Sequence, residues 1–515
     1  MMIRYLWSLA GFTTLGLVSG QTGNCTSSAL HPSIPNGGQV LDISAFPVNN
    51  YAHRDTTLDF CNVTVTYTHP DWHDTIHISI WLPSSNWSQR LQGAGGSGLF
   101  GLKSEYSLAE AVMGDYAVVG TDTGHIHNGS SSDSWWQDAS GHINIPVLTD
   151  FASVALNDAG VVAKQVVRDF YGHGPRYSYW NGCSTGGRQG LMLAQRYPTL
   201  YDGIMANAPA INWAKFLVAE FWPQAVMNQM GHHPPSCILN AITEATIQAC
   251  DANDGVRDRV ITDPDNCRFN PATLINHGVN CTGQTLTITS KDVEVATQTW
   301  EGMRGTNGSF LWYGLEKGAP LPAGLANVHC ANGRTNCAGV PFPISADWIS
   351  HFLLENPSAD LSSLDIAQLE HLFQKSFQKY NSIIGTDNPD LSAFKQAGGK
   401  MLTWQGLADQ LIFPKGTLQY YHRVEDKDPS VRDFYRLFLA PGVNHCRQGE
   451  GALPIDALQP VIDWVENGIA PDTVPARTLD RVRTRDLCPY PLMSVYKGGD
   501  DRLASSYACE GRYTM

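Results

Sequence analysis

Hydrophobic residues in the middle of the chain follow two alternating patterns. Short apolar runs predict buried strands, and longer segments with apolar residues at helical spacing predict helices. Because strands and helices alternate, we predict an α/β fold with a parallel sheet and right-handed crossovers. In chain order the predicted elements are a strand at 116–120, a helix at 149–170, a strand at 176–180, a helix at 187–197 and a strand at 203–208.

The alternation stops after residue 212 and resumes near residue 400. Residues 213–398 are rich in Pro, Gly, Asn and Cys, whereas predicted strands at 400–404 and 434–440 and a predicted helix at 454–468 follow. A crossover between neighbouring strands needs only about 30–40 residues. We therefore predict a sheet domain formed by residues 21–212 and 399–515. Residues 213–398 form an inserted domain over the carboxyl edge of the sheet, where ligands bind in such folds.

The N-terminus predicts secretion. Arg4 precedes a mostly apolar stretch, 5–18, and small residues follow up to Gly20, which is typical of a cleaved signal peptide at 1–20. A membrane anchor is the alternative, but the stretch is shorter than the ~20 apolar residues that a span needs. Twelve cysteines fit an oxidising, extracellular compartment. Six N-x-S/T sequons predict a glycoprotein: Asn24, Asn62, Asn86, Asn128, Asn280 and Asn307.

Composition and charge exclude several classes of protein. The 515 residues are 43% hydrophobic and 16% charged, so the chain can bury a large core and is not disordered. A net charge of −14 would repel a polyanion, which argues against nucleic acid as a partner. Since no later apolar stretch is long enough to span a bilayer, we also expect no membrane partner.

A glycine-rich turn is the first candidate for catalysis. Gly182-Cys183-Ser184-Thr185-Gly186 fits the G-x-S-x-G pattern of a nucleophile elbow, between a predicted strand and a predicted helix. The pattern predicts Ser184 as a nucleophile, whereas an ordinary glycine-rich turn is the alternative. The Thr185 N–H would stabilise an oxyanion. We expect the second N–H donor from Gly95 or Gly96 in the earlier loop 93–98, which lacks the Gly-Lys-Ser/Thr sequence of a phosphate loop.

Two later loops supply the remaining members of a catalytic triad. In this topology the order along the chain is Ser, then Asp or Glu, then His. Asp409 follows the strand at 400–404, and His445 follows the strand at 434–440. Cys183 directly precedes Ser184, and Cys446 directly follows His445. If these cysteines pair, their Cα atoms lie roughly 5.5–6 Å apart, and Ser184 and His445 must be neighbours. Two unpaired buried thiols are the alternative.

These motifs together resemble the family of fungal tannases and feruloyl esterases. The resemblance rests on residues 182–190, 406–409 and 444–446, and its motifs occur in order over most of the mature chain. It implies an α/β-hydrolase domain, a lid domain carrying calcium, and a disulfide between the cysteines beside the catalytic Ser and His. It assigns catalytic roles to Ser184, Asp409 and His445. The implied activity is hydrolysis of phenolic acid esters.

A loop in the inserted domain is rich in oxygen ligands. Calcium takes six to eight such oxygens. The spacing differs from that of an EF-hand, and a solvated Asp-Gly turn is the alternative. The family resemblance favours a structural calcium site. The candidate ligands are the carboxylates of Asp251, Asp254 and Asp258 and the carbonyls of Val256 and Val260.

The remaining cysteines are paired by their proximity in the sequence. Connectivity cannot be deduced from sequence alone, so these pairs are expectations. Cys250 and Cys267 would close the candidate calcium loop. The other expected pairs are Cys488–Cys509, Cys330–Cys337, Cys25–Cys61 and, by elimination, Cys237–Cys281.

The leading hypothesis is a secreted serine esterase that acts on feruloyl and other hydroxycinnamoyl esters, including those attached to plant polysaccharide. A tannase acting on gallate esters is the alternative within the family. A non-catalytic secreted binding protein on the same scaffold and a peptidase are hypotheses of other classes. Catalytic zinc is disfavoured, since the pairs His125/His127 and His73/His77 lack a convincing third ligand. Asp74 is interpreted as a polar surface residue.

Overall fold

Nine strands form the main sheet of the computed structural model, which describes residues 23–102, 104–125, 130–331 and 335–514. The predicted signal peptide at 1–20 and the sequon at Asn128 lie outside the described residues. The strands are β1 (Gln39–His53), β2 (Thr56–Thr68), β3 (Ile76–Pro83), β4 (Arg90–Ala94), β5 (Ala117–Thr121), β6 (Tyr177–Cys183), β7 (Gly203–Asn207), β8 (Lys400–Gly406) and β9 (Tyr435–Ala440).

The sheet is parallel where the sequence predicts it. Its order is β1-β2-β3-β5-β4-β6-β7-β8-β9. Neighbours from β5 to β9 pair in parallel, whereas β1, β2, β3 and β5 pair antiparallel. The carboxyl ends of β6, β8 and β9 therefore lie at one edge, which brings the loops after them together. The predicted α/β fold is confirmed.

Thirteen helices surround the sheet and fill the insert between β7 and β8. They are α1 (Glu105–Met113), α2 (Ile145–Ala152), α3 (Val154–Tyr171), α4 (Thr185–Arg196), α5 (Trp213–Ala219), α6 (Trp222–Met230), α7 (Ser236–Cys250), α8 (Ser290–Glu301), α9 (Pro343–Asp347), α10 (Ile366–Ile384), α11 (Ser392–Gln396), α12 (Pro414–Lys427) and α13 (Leu458–Asn467) among the described residues. A π-helical turn, Trp348–Leu353, follows α9.

The single helix predicted at 149–170 is wrong. The structure has two helices that meet at Ser153, whose φ of −161° is not helical. The carbonyls of Phe151 and Ala152 instead accept hydrogen bonds from the buried Arg188.

Among the described residues, no single helix has the length and apolar composition to cross a membrane; α2 and α3 meet that test only as a pair, bent by 55°.

The insert carries the largest hydrophobic cluster of the molecule. Its centre includes Trp213, Trp348 and Phe352, and the cluster also takes in Phe151 of α2. The insert therefore shares its core with the sheet domain, and its helix α10 packs on α2. The described residues also form four two-stranded ribbons: Gly278–Cys281 with Gln284–Thr287, Val328–Ala331 with Thr335–Gly339, Leu453–Pro454 with Ala476–Arg477, and Met493–Tyr496 with Tyr507–Glu510.

Six disulfides connect all twelve cysteines. One of them joins segments 263 residues apart, and the others close loops of 7 to 44 residues. The pairs are Cys25–Cys61, Cys183–Cys446, Cys237–Cys281, Cys250–Cys267, Cys330–Cys337 and Cys488–Cys509.

Candidate active site

Ser184 occupies a sharp turn between β6 and α4. Its φ of +65° lies in the left-handed region, which a non-glycine residue adopts only when its surroundings impose it. The turn needs small neighbours, because a Cβ on Gly182 would lie 2.4 Å from the carbonyl carbon of Gly186. Ser184 N donates to Asn207 O at 3.0 Å, which fixes the turn to the end of β7.

His445 and Asp409 form a hydrogen-bonded pair. His445 Nδ1 lies 2.9 Å from Asp409 Oδ2, and Asp409 is completely buried. Asp409 Oδ1 accepts the backbone N–H groups of Leu411 and Ile412, each at 2.9 Å, and Gln405 Nε2 donates to Oδ2 at 3.0 Å. These contacts hold the carboxylate in one orientation. When Nδ1–H donates to Asp409, Nε2 of His445 keeps the lone pair that a general base needs.

The Cys183–Cys446 disulfide holds the turn of Ser184 and the loop of His445 together. The Cα atoms of its cysteines lie 6.0 Å apart. Cys446 Sγ is also 3.7 Å from His445 Nε2, so the sulfur packs against the imidazole. Ser184 and His445 line one cavity. The structure thus brings together the three residues that the sequence assigns to the triad.

The prediction that Gly95 or Gly96 donates an N–H group to the oxyanion is wrong, because both N–H groups already have partners. Gly95 N donates to Asn181 O at 3.0 Å, and Gly96 N donates to the side chain of Gln189 at 2.7 Å. Their backbone instead packs on the elbow, since a Cβ on Gly95 would lie 2.7 Å from Gly186 Cα. These glycines are needed for close backbone contact. Further along this loop, Gly98 lines the cavity beside Ser184.

Thr185 is the other residue that the sequence predicts as an oxyanion donor. It is the first residue of α4, where backbone N–H groups have no partner within the helix. Its side chain donates to Gly98 O at 2.5 Å, which ties the helix start to the glycine-rich loop. The positive end of the α4 dipole therefore points at the position beside Ser184.

The pocket above Ser184 is mostly apolar and opens to solvent, with about 280 Å³ of empty space that includes this open part. Its lining comes mainly from α5 and from the segments near Phe342 and Leu411. An apolar and aromatic lining suits an aromatic group. The side chains and backbone around the pocket belong to Gly98, Ser184, Thr185, Ala210, Trp213, Phe216, Leu217, Glu220, Phe342, Ile344, Leu411, Ile412 and His445.

Sequence reasoning assigned no role to Arg188 and Gln189, which belong to the same motif as Ser184. Arg188 is fully buried, and its guanidinium lies 5.5 Å from the centre of the Trp213 ring. Burial, followed by the nearby charge of Arg196, lowers the pKa of Arg188 to about 9. Gln189 Nε2 donates to Gly101 O and its Oε1 accepts from Gly96 N, so this side chain contacts the glycine-rich loop and the segment just after it. The sequence feature that could have identified Arg188 and Gln189 is their position within the same motif as Ser184.

Asp74 is buried, contrary to its interpretation as a surface residue. Its Oδ2 lies 2.6 Å from His69 Nδ1, and Asp158 Oδ2 lies 2.9 Å from His69 Nε2. Since both ring nitrogens face carboxylates, His69 is an imidazolium and has no lone pair for a metal ion. Burial opposes its charge, but the hydrogen bonds to Asp158 and Asp74 outweigh this effect and raise the pKa of His69 to about 10.

Asp150 completes this cluster as a neutral acid. Burial, followed by the charge of Asp74, raises the pKa of Asp150 to about 9. Raised pKa values stabilise the folded state at low pH, and this stabilisation disappears as the pH rises through the folded-state values. The stabilisation from Asp150 is therefore lost as the pH rises from about 4 to 9, and that from His69 as the pH rises from about 6.5 to 10.

We expect Asp150→Asn to flatten the loss of thermal stability between about pH 7 and 9, because the amide has no proton to lose in that range. Differential scanning calorimetry at intervals across this range measures the slope of Tm against pH. Asp122→Asn, which alters an exposed pair with His77, is the control. An unchanged slope in Asp150→Asn would contradict the assignment of a titrating proton to this carboxyl group.

The candidate calcium loop folds around its own carboxylates. Asp251 Oδ1 accepts the N–H groups of Asp258 and Arg259, at 3.0 and 2.8 Å. Burial raises the pKa of Asp258, and the charge of Asp254 adds to this effect, while Arg485 at 2.8 Å opposes it. Negative charge is therefore crowded here, and the oxygen-rich donor set fits a calcium ion.

Within the described part of the chain, only the cluster of His69, Asp74 and Asp150 brings three imidazole or carboxylate ligand atoms within 4.8 Å of one another. The carboxylate oxygens of the 251–260 loop are more widely spaced. A calcium ion there would therefore also need the backbone carbonyls that Val256 and Val260 offer.

The sheet order and the strand–turn–helix at Ser184 define an α/β-hydrolase. A family model described as tannase and feruloyl esterase matches residues 61–510, and the chain belongs to this family of carboxylic ester hydrolases. The match confirms the family that the sequence motifs resemble.

Relatives share the whole length of the chain. A probable feruloyl esterase of Arthroderma benhamiae is 38% identical over 529 residues, which cover 99% of this chain and 98% of the relative. The solved structure of tannin acyl hydrolase from Aspergillus niger has a TM-score of 0.85 at 27% identity and covers 95% of each chain. Feruloyl esterase B from Aspergillus oryzae has a TM-score of 0.77 at 28% identity, over 93% of this chain and 97% of the other.

Proposed function

We propose that the protein is a secreted serine esterase that hydrolyses esters of hydroxycinnamic acids such as ferulic acid, including esters attached to plant polysaccharide. The observation that carries this proposal is the disulfide that joins the elbow of Ser184 to the loop of His445, while His445 is paired with Asp409. The feruloyl esterases among the relatives support the substrate class. Six disulfides and exposed sequons at Asn24, Asn86, Asn280 and Asn307, with Asn62 half-buried, support secretion.

The mechanism follows from the positions of these groups. Ser184 Oγ attacks the ester carbonyl carbon and gives its proton to His445 Nε2. Asp409 stabilises the resulting imidazolium. The Thr185 N–H and an N–H from the loop at 97–98 stabilise the oxyanion, which collapses and releases the alcohol with the proton from His445. Water then hydrolyses the acyl-enzyme through the same proton transfers in reverse.

Initial rates on three methyl esters test this function. We expect faster turnover of methyl ferulate and methyl caffeate than of methyl gallate, and no cleavage of a peptide. A preference for methyl gallate would assign the protein to the tannases instead. Absence of hydrolysis of all three esters, with retained binding of the phenolic acids, would support a non-catalytic binding protein.

We further propose that residues Asp251, Asp254, Val256, Asp258 and Val260 hold a structural calcium ion, next to the Cys250–Cys267 disulfide. A bound ion would neutralise the crowded carboxylates and stabilise the insert.

Chelation is therefore expected to lower Tm by about 2–5 °C, and added calcium should restore it. Calorimetry of the protein with EDTA, with calcium and with magnesium measures the effect. Asp258→Asn should reduce the difference between the chelated and calcium-loaded samples. Identical melting of the wild-type protein with and without chelator would contradict the calcium site.

A further inference from the structure

We propose that Glu220 recognises a free phenolic hydroxyl group on the acyl part of the ester, so that the site selects phenolic over non-phenolic aromatic acids. This inference rests on the proposed function, because Glu220 lies in the same cavity as Ser184 and His445.

Helix α5 presents one face to this cavity. Trp213, Phe216, Leu217 and Glu220 all line it, and their spacing of three, four and seven residues places them on one side of a helix. Glu220 therefore lies about 10 Å along the helix axis from Trp213. At the other end, Ala210 N donates to Ser184 O at 3.1 Å, which joins the start of this segment to the nucleophile.

The Glu220 carboxyl group has no structural partner. Only 1% of the residue is exposed, and neither carboxyl oxygen makes a hydrogen bond to any described residue. Trp213 Nε1, on the same helix face, also has no partner among the residues described. Buried polar groups are almost always hydrogen-bonded, since leaving one unpaired is costly. The unpaired carboxyl group of Glu220, in a cavity lined mostly by apolar side chains, indicates a ligand that brings its own polar atoms.

The protonation state of the Glu220 carboxyl group indicates which kind of ligand it can bind. Burial raises the pKa of Glu220 well above its usual range, and the charge of Asp409 raises it further. Glu220 is therefore a neutral acid with one O–H donor and one carbonyl acceptor. A phenolic hydroxyl group also has one donor and one acceptor, so the two groups can form hydrogen bonds in both directions. An unsubstituted ring leaves the acid unpaired, and a methyl ether cannot donate.

Substrate selectivity tests this assignment. The measured quantity is the ratio of kcat/KM for methyl 4-hydroxycinnamate to kcat/KM for methyl cinnamate. We expect a ratio of about 10 to 100 in the wild-type enzyme. Glu220→Leu should reduce the ratio to about 1, because leucine cannot form the hydrogen bonds. Glu220→Gln keeps a donor and an acceptor in the same volume and should retain most of the preference.

The ratio distinguishes recognition from a structural role. If Glu220 only stabilised the fold, Glu220→Leu would lower both rates equally and leave the ratio unchanged, which would overturn the inference. Glu316→Gln is the matched control: this glutamate is also buried, with its pKa raised by burial to about 7, but it lies beside Lys415 and outside the cavity. A wild-type enzyme that hydrolyses neither ester would instead refute the proposed function.

Discussion

Ser184→Ala is expected to lower kcat on methyl ferulate by about 10⁴- to 10⁶-fold, because the acyl-enzyme can no longer form. Alanine removes one oxygen atom and leaves the elbow, the disulfide and the cavity in place. KM should therefore change far less than kcat. Steady-state kinetics on the purified variant, with circular dichroism to confirm folding, measures both quantities. Ser85→Ala, at an exposed serine, is the control.

The triad should also behave as one unit. His445→Ala is expected to lower kcat about as much as Ser184→Ala does. The double variant should lower kcat only a little further, since each change abolishes the same step. Asp409→Asn should lower kcat by about 10⁴-fold, because an amide at this position favours the wrong tautomer of His445. Independent, additive losses in the double variant would contradict a shared proton transfer.

Removal of the Cys183–Cys446 disulfide is expected to lower kcat/KM by about 100-fold. The bond holds two loops that are 263 residues apart in sequence, and a displacement of about 1 Å between nucleophile and base is enough for a loss of this size. The double variant Cys183→Ala with Cys446→Ala should keep the bulk fold, because the hydrogen bonds of Ser184 N to Asn207 and of His445 to Asp409 do not depend on the sulfur atoms.

The matched control removes another disulfide. Cys330→Ala with Cys337→Ala opens a bond that closes a loop of only seven residues in a separate ribbon, so kcat/KM should stay within about threefold of the wild-type value. Activity assays and thermal melts on both double variants separate the two roles. Equal activity in the two variants would show that the Cys183–Cys446 bond does not position the catalytic groups.

Local patterns in the sequence predict the fold and the arrangement of the site well. The strands of the parallel sheet are short apolar runs, and the elbow is a contiguous motif between a strand and a helix. The proximity of Ser184 and His445 followed from a single covalent argument, since a cysteine adjoins each of them. A disulfide is a contact that sequence can propose without knowledge of packing.

Contacts between distant side chains escaped prediction. Asp74 was interpreted as a surface residue because the cluster that buries it is not local: its partner His69 also contacts Asp158, 89 positions further along, and does so only when α3 packs on the sheet. Gly95 and Gly96 were expected to donate to substrate, but Gln189 from the elbow helix occupies one of their N–H groups. The break at Ser153 likewise depends on Arg188. In each of these cases, a buried polar side chain from another element of the fold determines the local structure that the sequence analysis did not predict.

Covalent labelling by a fluorophosphonate probe tests the central claim most directly. The probe reacts with a serine only when a base activates it and an oxyanion site stabilises the adduct. We expect one adduct, mapped by mass spectrometry to Ser184, and loss of labelling in Ser184→Ala and His445→Ala. An active esterase that carries its adduct on another serine, or that is hydrolytically active but never labelled, would contradict the account.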